Sequence, residues 1–424
     1  MTTSSVHATE LLLSSVLLQI VVMIAAARAM HSLFRAMGQP GVVGEIVAGL
    51  ALGPSLLGHF LPGFSATVFG AEAQPVISVL SQIGLILLMF QIGSGFEFGR
   101  LAQPRLRKAV VLVAAASLVA PFALGFGLGW AGAAHFVPGA SPLPSSLFCG
   151  VALAITAVPI LGRIINEYRL TDQDTGIVAI SAAAINDVAG WLLLASISAL
   201  AAAQFSGGHA LGQLAGLAVL IVGIRLAMPL IDRLLARWPV ADGRLPPNLM
   251  AFALCLMLLL AIVTYRIGIF AIFGGFAAGL LFHRHADFAR AWADQVGRFV
   301  MVFFLPVFFT FTGLRTNLLA LSPAEFGWLA VVCAAAIMGK LVPVYVAGRA
   351  SGFAHRDSMI LGTLMNTRAL MELIVLNVGY DLGILPRPMF TILVVMAVVT
   401  TVMTGPLLRL LLAPRGTKLQ TVEA

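Results

Sequence analysis

Charge is scarce in this chain: Asp, Glu, Lys and Arg make up 10% of its 424 residues, whereas 60% are hydrophobic and the mean hydropathy is +1.02. A soluble chain of this length needs polar side chains to cover its surface, and too few are present. The shortage excludes a soluble globular protein and points to an all-α polytopic membrane protein, since lipid needs no polar cover. Cysteine is also rare. Cys149, Cys255 and Cys333 lie in apolar stretches without the paired spacing of a metal or redox centre, and read as small core residues. No soluble basic domain is present, which excludes nucleic-acid binding, and no connection is long enough to hold a nucleotide-binding regulator. Residues 1–10 lack a basic n-region, so the apolar run after them is expected to remain as the first span.

What the chain has in abundance is apolar runs of about 20 residues. Thirteen spans are predicted, at 9–30, 41–58, 76–97, 108–133, 145–166, 174–203, 210–232, 247–266, 268–284, 297–314, 325–349, 357–380 and 388–412. Connections after odd-numbered spans hold Arg35, then Arg100, Arg105, Arg107 and Lys108, then Arg169, then Arg233, Arg237 and Arg244, then Arg284 and Arg290, Arg356, and finally Arg415 and Lys418. Those after even-numbered spans hold only Arg266, Arg315 and Arg387. Basic residues mark the cytoplasmic side, which predicts an inner-membrane protein with its N-terminus outside and C-terminus inside.

Two stretches rhyme at an offset of seven spans. Gly44-Glu45-Ile46-Val47-Ala48-Gly49-Leu50-Ala51-Leu52-Gly53 in span two matches Ile269-Phe270-Ala271-Ile272-Phe273-Gly274-Gly275-Phe276-Ala277-Ala278-Gly279 in span nine, both with small residues four apart. Leu88 to Phe96 in span three matches Phe308 to Arg315 in span ten. An odd offset makes the two copies enter the membrane in opposite directions, the inverted-repeat plan of many secondary transporters. Close helix packing alone also favours such glycines.

Asp187, in Ala184-Ile185-Asn186-Asp187-Val188-Ala189, is an ionisable group near the middle of an apolar span. A carboxylate there costs roughly 2.5–3.5 kcal/mol on insertion scales and is a functional candidate by default. The repeat pairs span five with span twelve, and both read as interrupted. Pro159, in Thr156-Ala157-Val158-Pro159, removes a backbone donor and disfavours helix at the residue before it, although an ordinary packed kink is the alternative. Asn366 and Thr367 are polar at mid-span, either as ion ligands or as hydrogen-bonding glue between helices. Two broken helices meeting at the midplane expose half-helix ends, which can build an ion site. Arg368 and Glu372 stand four apart, as on one helical face, and suit a structural or gating ion pair, with direct ion coordination as the alternative. Glu45 and Glu97 lie toward cytoplasmic span ends, either as a cation funnel or as plainly solvated interfacial groups.

Together, residues 44–58 (Gly-Glu-Ile-Val-Ala-Gly-Leu-Ala-Leu-Gly-Pro-Ser-Leu-Leu-Gly), Thr156 to Pro159, Ile185-Asn186-Asp187, Met338-Gly339-Lys340 and Asn366 to Leu373 (Asn-Thr-Arg-Ala-Leu-Met-Glu-Leu) resemble the monovalent cation:proton antiporter-2 family. The likeness runs over nearly the whole chain. It implies a homodimer in which each protomer has scaffold helices (1–106 and 246–316), a mobile core (107–203 and 317–413), a linking helix (204–245) and a short cytoplasmic tail (414–424). It also implies that Asp187 carries either a proton or a cation, that Thr156 helps ligate the ion, and that Lys340 pairs with the core acid as in some members; a lysine in a bundle can instead satisfy half-helix carbonyls. Asn186 matches members thought to be electroneutral, whereas Lys340 is found in electrogenic ones, and the mixture leaves stoichiometry open.

A carboxylate accepts a proton or an alkali cation but not both, so one Asp suffices to couple two fluxes by competition. The expected function is exchange of Na+ or K+ for H+ by alternating access, with no cofactor, the bilayer lipid and a second copy being the remaining partners. The alternatives are a ligand-gated potassium efflux transporter and a sodium-coupled organic-anion symporter of the same general fold. An intramembrane enzyme would need a second carboxylate or a histidine cluster at the depth of Asp187. His135, His283, His285 and His355 fall instead in connections or at span ends.

Overall fold

The structure, a computed structural model, describes residues 3–95, 106–171, 173–202, 207–240, 242–267 and 270–412. Phe96, Glu97, Arg100, Arg105, Ile269, Arg415, Lys418 and the tail 414–424 lie outside these residues. Regular structure in the described residues is helical: α1 (Thr3–Ala36), α2 (Gly41–Ala51), α3 (Leu57–Phe60), α4 (Pro62–Val68), α5 (Gln74–Ser94), α6 (Arg107–Phe136), α7 (Pro142–Ala154), α8 (Val158–Glu167) and α9 (Asp174–Ala202). It continues with α10 (Gly207–Arg237), α11 (Pro247–Arg266), α12 (Ala271–Leu280), α13 (Ala286–Trp292), α14 (Leu305–Arg315), α15 (Pro323–Ala350), α16 (His355–Met365), α17 (Leu370–Asp381) and α18 (Arg387–Leu412). Among these residues nine helical segments are long and apolar enough to cross a membrane, and α2, α7 and α12 are shorter apolar helices.

Proline sets many of the starts. Pro62, Pro75, Pro142, Pro247 and Pro323 occupy the first two positions of α4, α5, α7, α11 and α15. There the missing N–H costs nothing, because the first turn has no intrahelical acceptor for it. Ser322 and Glu325 add a capping box to α15, Ser322 Oγ accepting from the Glu325 N–H and Glu325 Oε2 accepting from the Ser322 N–H at 2.6 Å.

The helices pack in two groups. α1, α2, α5, α11, α12 and α14 lie against one another, and α6, α7, α9, α15, α16, α17 and α18 form the second set. Fewer contacts join the groups, through α18 against α2 and through α10, which touches both α9 and α12. Glycine decides the closest approaches in the first group. A Cβ on Gly49 would overlap the Phe309 carbonyl, and one on Gly313 would overlap the Gly49 carbonyl, so α2 and α14 touch backbone to backbone. α5 and α12 do the same: a Cβ on Gly93 would strike the Phe276 carbonyl, and one on Gly279 the Phe90 carbonyl.

Several expectations are corrected. Span two was expected to run from 41 to 58, but α2 ends at Ala51, and α3 and α4 follow as short separate helices. Span ten was expected from 297; the helical path begins at Ala286 and passes through π-helical turns at Ala293–Gly297 and Val300–Phe304 into α14. Cys149 is buried as expected, but Cys255 is exposed on α11. Glu45 is not a solvated interfacial group. It is 4% exposed and accepts hydrogen bonds from His31 Nδ1 at 2.8 Å and Arg28 at 3.4 Å, since α2 lies along α1.

Candidate functional site

Both interruptions are present. α7 stops at Ala154, Ile155 to Ala157 are extended, and α8 begins at Val158 with Pro159 in its first turn. The second break runs from Asn366 to Ala369, between α16 and α17. The two touch: the Ala157 N–H donates to the Thr367 carbonyl at 3.2 Å. Every residue from Ile155 to Ala157 and from Asn366 to Ala369 is buried. Non-helical backbone at membrane depth is tolerated only under such cover. Ala369 adopts φ 82°, a left-handed conformation that costs a non-glycine residue about 1–3 kcal/mol and persists only where its surroundings impose it.

Two buried cations satisfy the carbonyls that α7 cannot. The last carbonyls of a helix have no intrahelical donor and carry its partial negative charge. Arg368 donates to the carbonyls of Ala152 at 3.1 Å and Leu153 at 2.6 Å, and to Ala336 of α15 at 3.1 Å. Lys340, also on α15, donates to the Ala154 carbonyl at 2.6 Å and to Thr156 Oγ1 at 2.5 Å. Arg368 and Glu372 do not share a helical face, because Arg368 sits in the break before α17. Their closest approach is 4.0 Å, and the Arg368 hydrogen bonds go to carbonyls instead.

Asp187 lies in mid α9, 2% exposed, and neither carboxylate oxygen has a hydrogen-bond partner. Lys340 is its electrostatic neighbour. Asn186 Nδ2 donates to Ser117 Oγ of α6 at 2.6 Å, which leaves its carbonyl oxygen unpaired. Thr367 Oγ1 and the Asn366 side-chain oxygen are buried and unpaired as well, although the Asn366 amide reaches the Thr400 carbonyl at 3.5 Å. α9 packs on α7, α8, α16 and α17, the four half-helices of the two breaks. Buried oxygens without donors are what a dehydrated cation or a proton would need, and each left unsatisfied costs about 1–3 kcal/mol. The structure thus brings together Asp187, Asn186, Thr156, Lys340, Asn366, Thr367, Arg368 and Glu372 around the crossing, with one hydroxyl, Thr156, already engaged by Lys340.

Sequence reasoning missed three contributors. Ser117 holds Asn186, and it is the only hydroxyl in α6, a signal that was available. Thr401 Oγ1 accepts from the Arg368 N–H at 3.3 Å, but it lies in a run of threonines with no distinguishing spacing. The left-handed Ala369 carries no residue-type signal at all.

The sequence and the fold are similar to those of known proteins. The chain is 38% identical over 405 residues to the cation/H(+) antiporter 17 of Arabidopsis thaliana, covering 95% of this chain and 48% of that one. It thus spans about half the length of that relative. It is 37% identical over 400 residues to the Na(+)/H(+) antiporter NhaS4 of Synechocystis, covering 92% of this chain and 96% of the other. The fold is similar to that of the sodium proton antiporter MjNhaP1 from Methanocaldococcus jannaschii, with a TM-score of 0.65 at 15% identity over 94% of this chain and 96% of that one. With residues 20–413 matching the family model described as "Sodium/hydrogen exchanger, transmembrane", the chain belongs to that family of multi-pass membrane proteins.

Proposed function

We propose that this chain exchanges a monovalent cation, Na+ or K+, for H+ across the membrane by alternating access, with Asp187 alternately protonated and cation-bound. One observation carries the reading: a buried carboxylate with both oxygens unpaired, beside two interrupted helices. A bare carboxylate in this setting needs a partner, and a proton or a cation each supplies one while excluding the other. Lys340 offers counter-charge when Asp187 is empty. Thr156, with one lone pair taken by Lys340, keeps a second for the ion. Asn186 contributes its free carbonyl oxygen. Asn366 and Thr367 add oxygens from the second break.

The wider architecture is read in the same way. α6 to α9 and α15 to α18 are the moving core, α1 to α5 and α11 to α14 the scaffold, and α10 the link between them; the sparse contacts between the two packed groups support this division. Thirteen spans in two inverted copies account for a symmetry in the packing. Span two meets span ten through Gly49 and Gly313, and their repeat counterparts, span nine and span three, meet through Gly279 and Gly93. A homodimer in an inner membrane, with its N-terminus outside and C-terminus inside, completes the reading. The test is Asp187→Asn in proteoliposomes: cation-dependent proton movement is expected to disappear. Exchange at the unmodified rate would remove Asp187 as the carrier. Parallel assays in Na+ and K+, with and without an imposed potential, identify the ion and the charge moved.

A further inference from the structure

The far end of α17 carries a polar cluster that the transport reading does not use. Asp381 is the last residue of α17, and a carboxylate at a helix C-terminus sits on the unfavourable end of the helix dipole. Its compensation comes from another helix. Arg315, the last residue of α14, donates to Asp381 Oδ1 at 2.7 Å and to the Asn377 side-chain oxygen at 3.1 Å. Asn377, one turn back along α17, donates in turn to Thr312 Oγ1 at 2.8 Å, one turn back along α14. The two helices are therefore joined by two polar rungs that share Asn377. The Arg315 guanidinium is also held between rings, 3.9 Å from the Phe311 centroid and 5.1 Å from that of Tyr380.

This cluster bridges the two packed groups. α14 belongs to the set around α2 and α5, and α17 to the set around α7 and α18. Backbone-level contacts between α14 and α17 are few, so it is the side chains that span the gap. Arg315 and Asp381 are 20% and 32% exposed, which lets water compete for both once they separate. Such a contact opens more readily than interdigitated apolar packing. At the other end of α17, about 18 Å away for its 12 residues, stand Glu372 and the break around Asn366 to Ala369.

We propose that Arg315, Asp381 and Asn377 form a releasable latch that seats the end of α17 on α14, and that the transport cycle requires it to open. The inference rests on the exchange reading for its role and on geometry alone for its existence.

Hydrogen–deuterium exchange on the purified protein in lipid nanodiscs tests the latch. Arg315→Gln and Asp381→Asn each raise exchange of the amides of residues 376–384 by about 5- to 30-fold. The charge-swapped Arg315→Asp/Asp381→Arg protein exchanges more slowly there than either single variant. Thr312→Val, isosteric and confined to the second rung, gives a smaller rise at the same amides and serves should a charged variant fail to fold. Unchanged exchange across these variants, or a swap as fast as the singles, overturns the latch. In proteoliposomes the same variants alter the rate of cation-dependent proton movement. Raised amide exchange with an unaltered rate overturns the latch's part in the cycle. Absence of movement in the unmodified protein overturns the transport reading instead and leaves the amide result standing.

Discussion

Arg368→Met and Glu372→Gln are expected to differ sharply in stability, although they neutralise the two ends of one apparent ion pair. The two charges are 4.0 Å apart, fully buried and without a mutual hydrogen bond. Their attraction is about 4 kcal/mol at an effective dielectric constant of 20. Glu372→Gln gives up that attraction but no longer needs to bury a carboxylate, a saving of several kcal/mol, so the two changes nearly cancel. Arg368→Met gives up the same attraction together with the bonds to Ala152, Leu153 and Ala336. Each of those charge-assisted bonds contributes about 1.5–3 kcal/mol, and the Ala152 and Leu153 carbonyls at the end of α7 are left without a helical donor. The relief from no longer burying a guanidinium offsets part of this loss. The net cost is expected at about 3–5 kcal/mol, as for other broken buried pairs. Thermal unfolding of the purified protein in detergent compares the two variants and the double variant. Equal destabilisation by both, or full recovery in Arg368→Met/Glu372→Gln, would refute carbonyl capping as the work of Arg368.

The remaining expectations follow from single contacts. Ser117→Ala frees the Asn186 side chain from its 2.6 Å bond, and apparent cation affinity in proteoliposomes is expected to fall about fivefold, the equivalent of about 1 kcal/mol; an unchanged affinity excludes Asn186 from the ion site. Asn186→Asp adds a second carboxylate beside Asp187 and is expected to change how exchange responds to an imposed membrane potential relative to the unmodified protein, read as the rate difference with and without that potential. Gly313→Ala forces a Cβ into the Gly49 carbonyl and is expected to lower the unfolding temperature by an overpacking cost of about 1–3 kcal/mol. Gly327→Ala, where a Cβ meets nothing within 4 Å, is expected to leave it unchanged or slightly higher.

Sequence reasoning reached the membrane class, the helical content, both interruptions and the residues around the crossing, and for identifiable reasons. Apolar runs report the solvent that a segment must face, and a carboxylate, a proline or an Asn-Thr pair stands out against such runs because lipid tolerates so few polar groups. Glu45 misled because its position near a span end signals water only if nothing else covers it, and α1 covers it with His31 and Arg28. Span boundaries at 41–58 and 297–314 misled because hydropathy does not register where a helix ends inside protein or continues through π-helical turns.

What the amino-acid order determined alone was composition against solvent: which segments prefer lipid, which positions carry charge into it at a cost, and where backbone hydrogen bonding must fail. Only the tertiary structure decided who answers those failures. Arg368 and Glu372 are four apart in the chain, yet the guanidinium serves carbonyls of α7 more than two hundred residues away. Lys340 could have paired with Asp187 directly, but its hydrogen bonds go to Ala154 and Thr156. Hydrogen bonds act over about 3 Å, so which donor meets which acceptor depends on helix packing, and backbone carbonyls are the same in every residue until packing selects three of them.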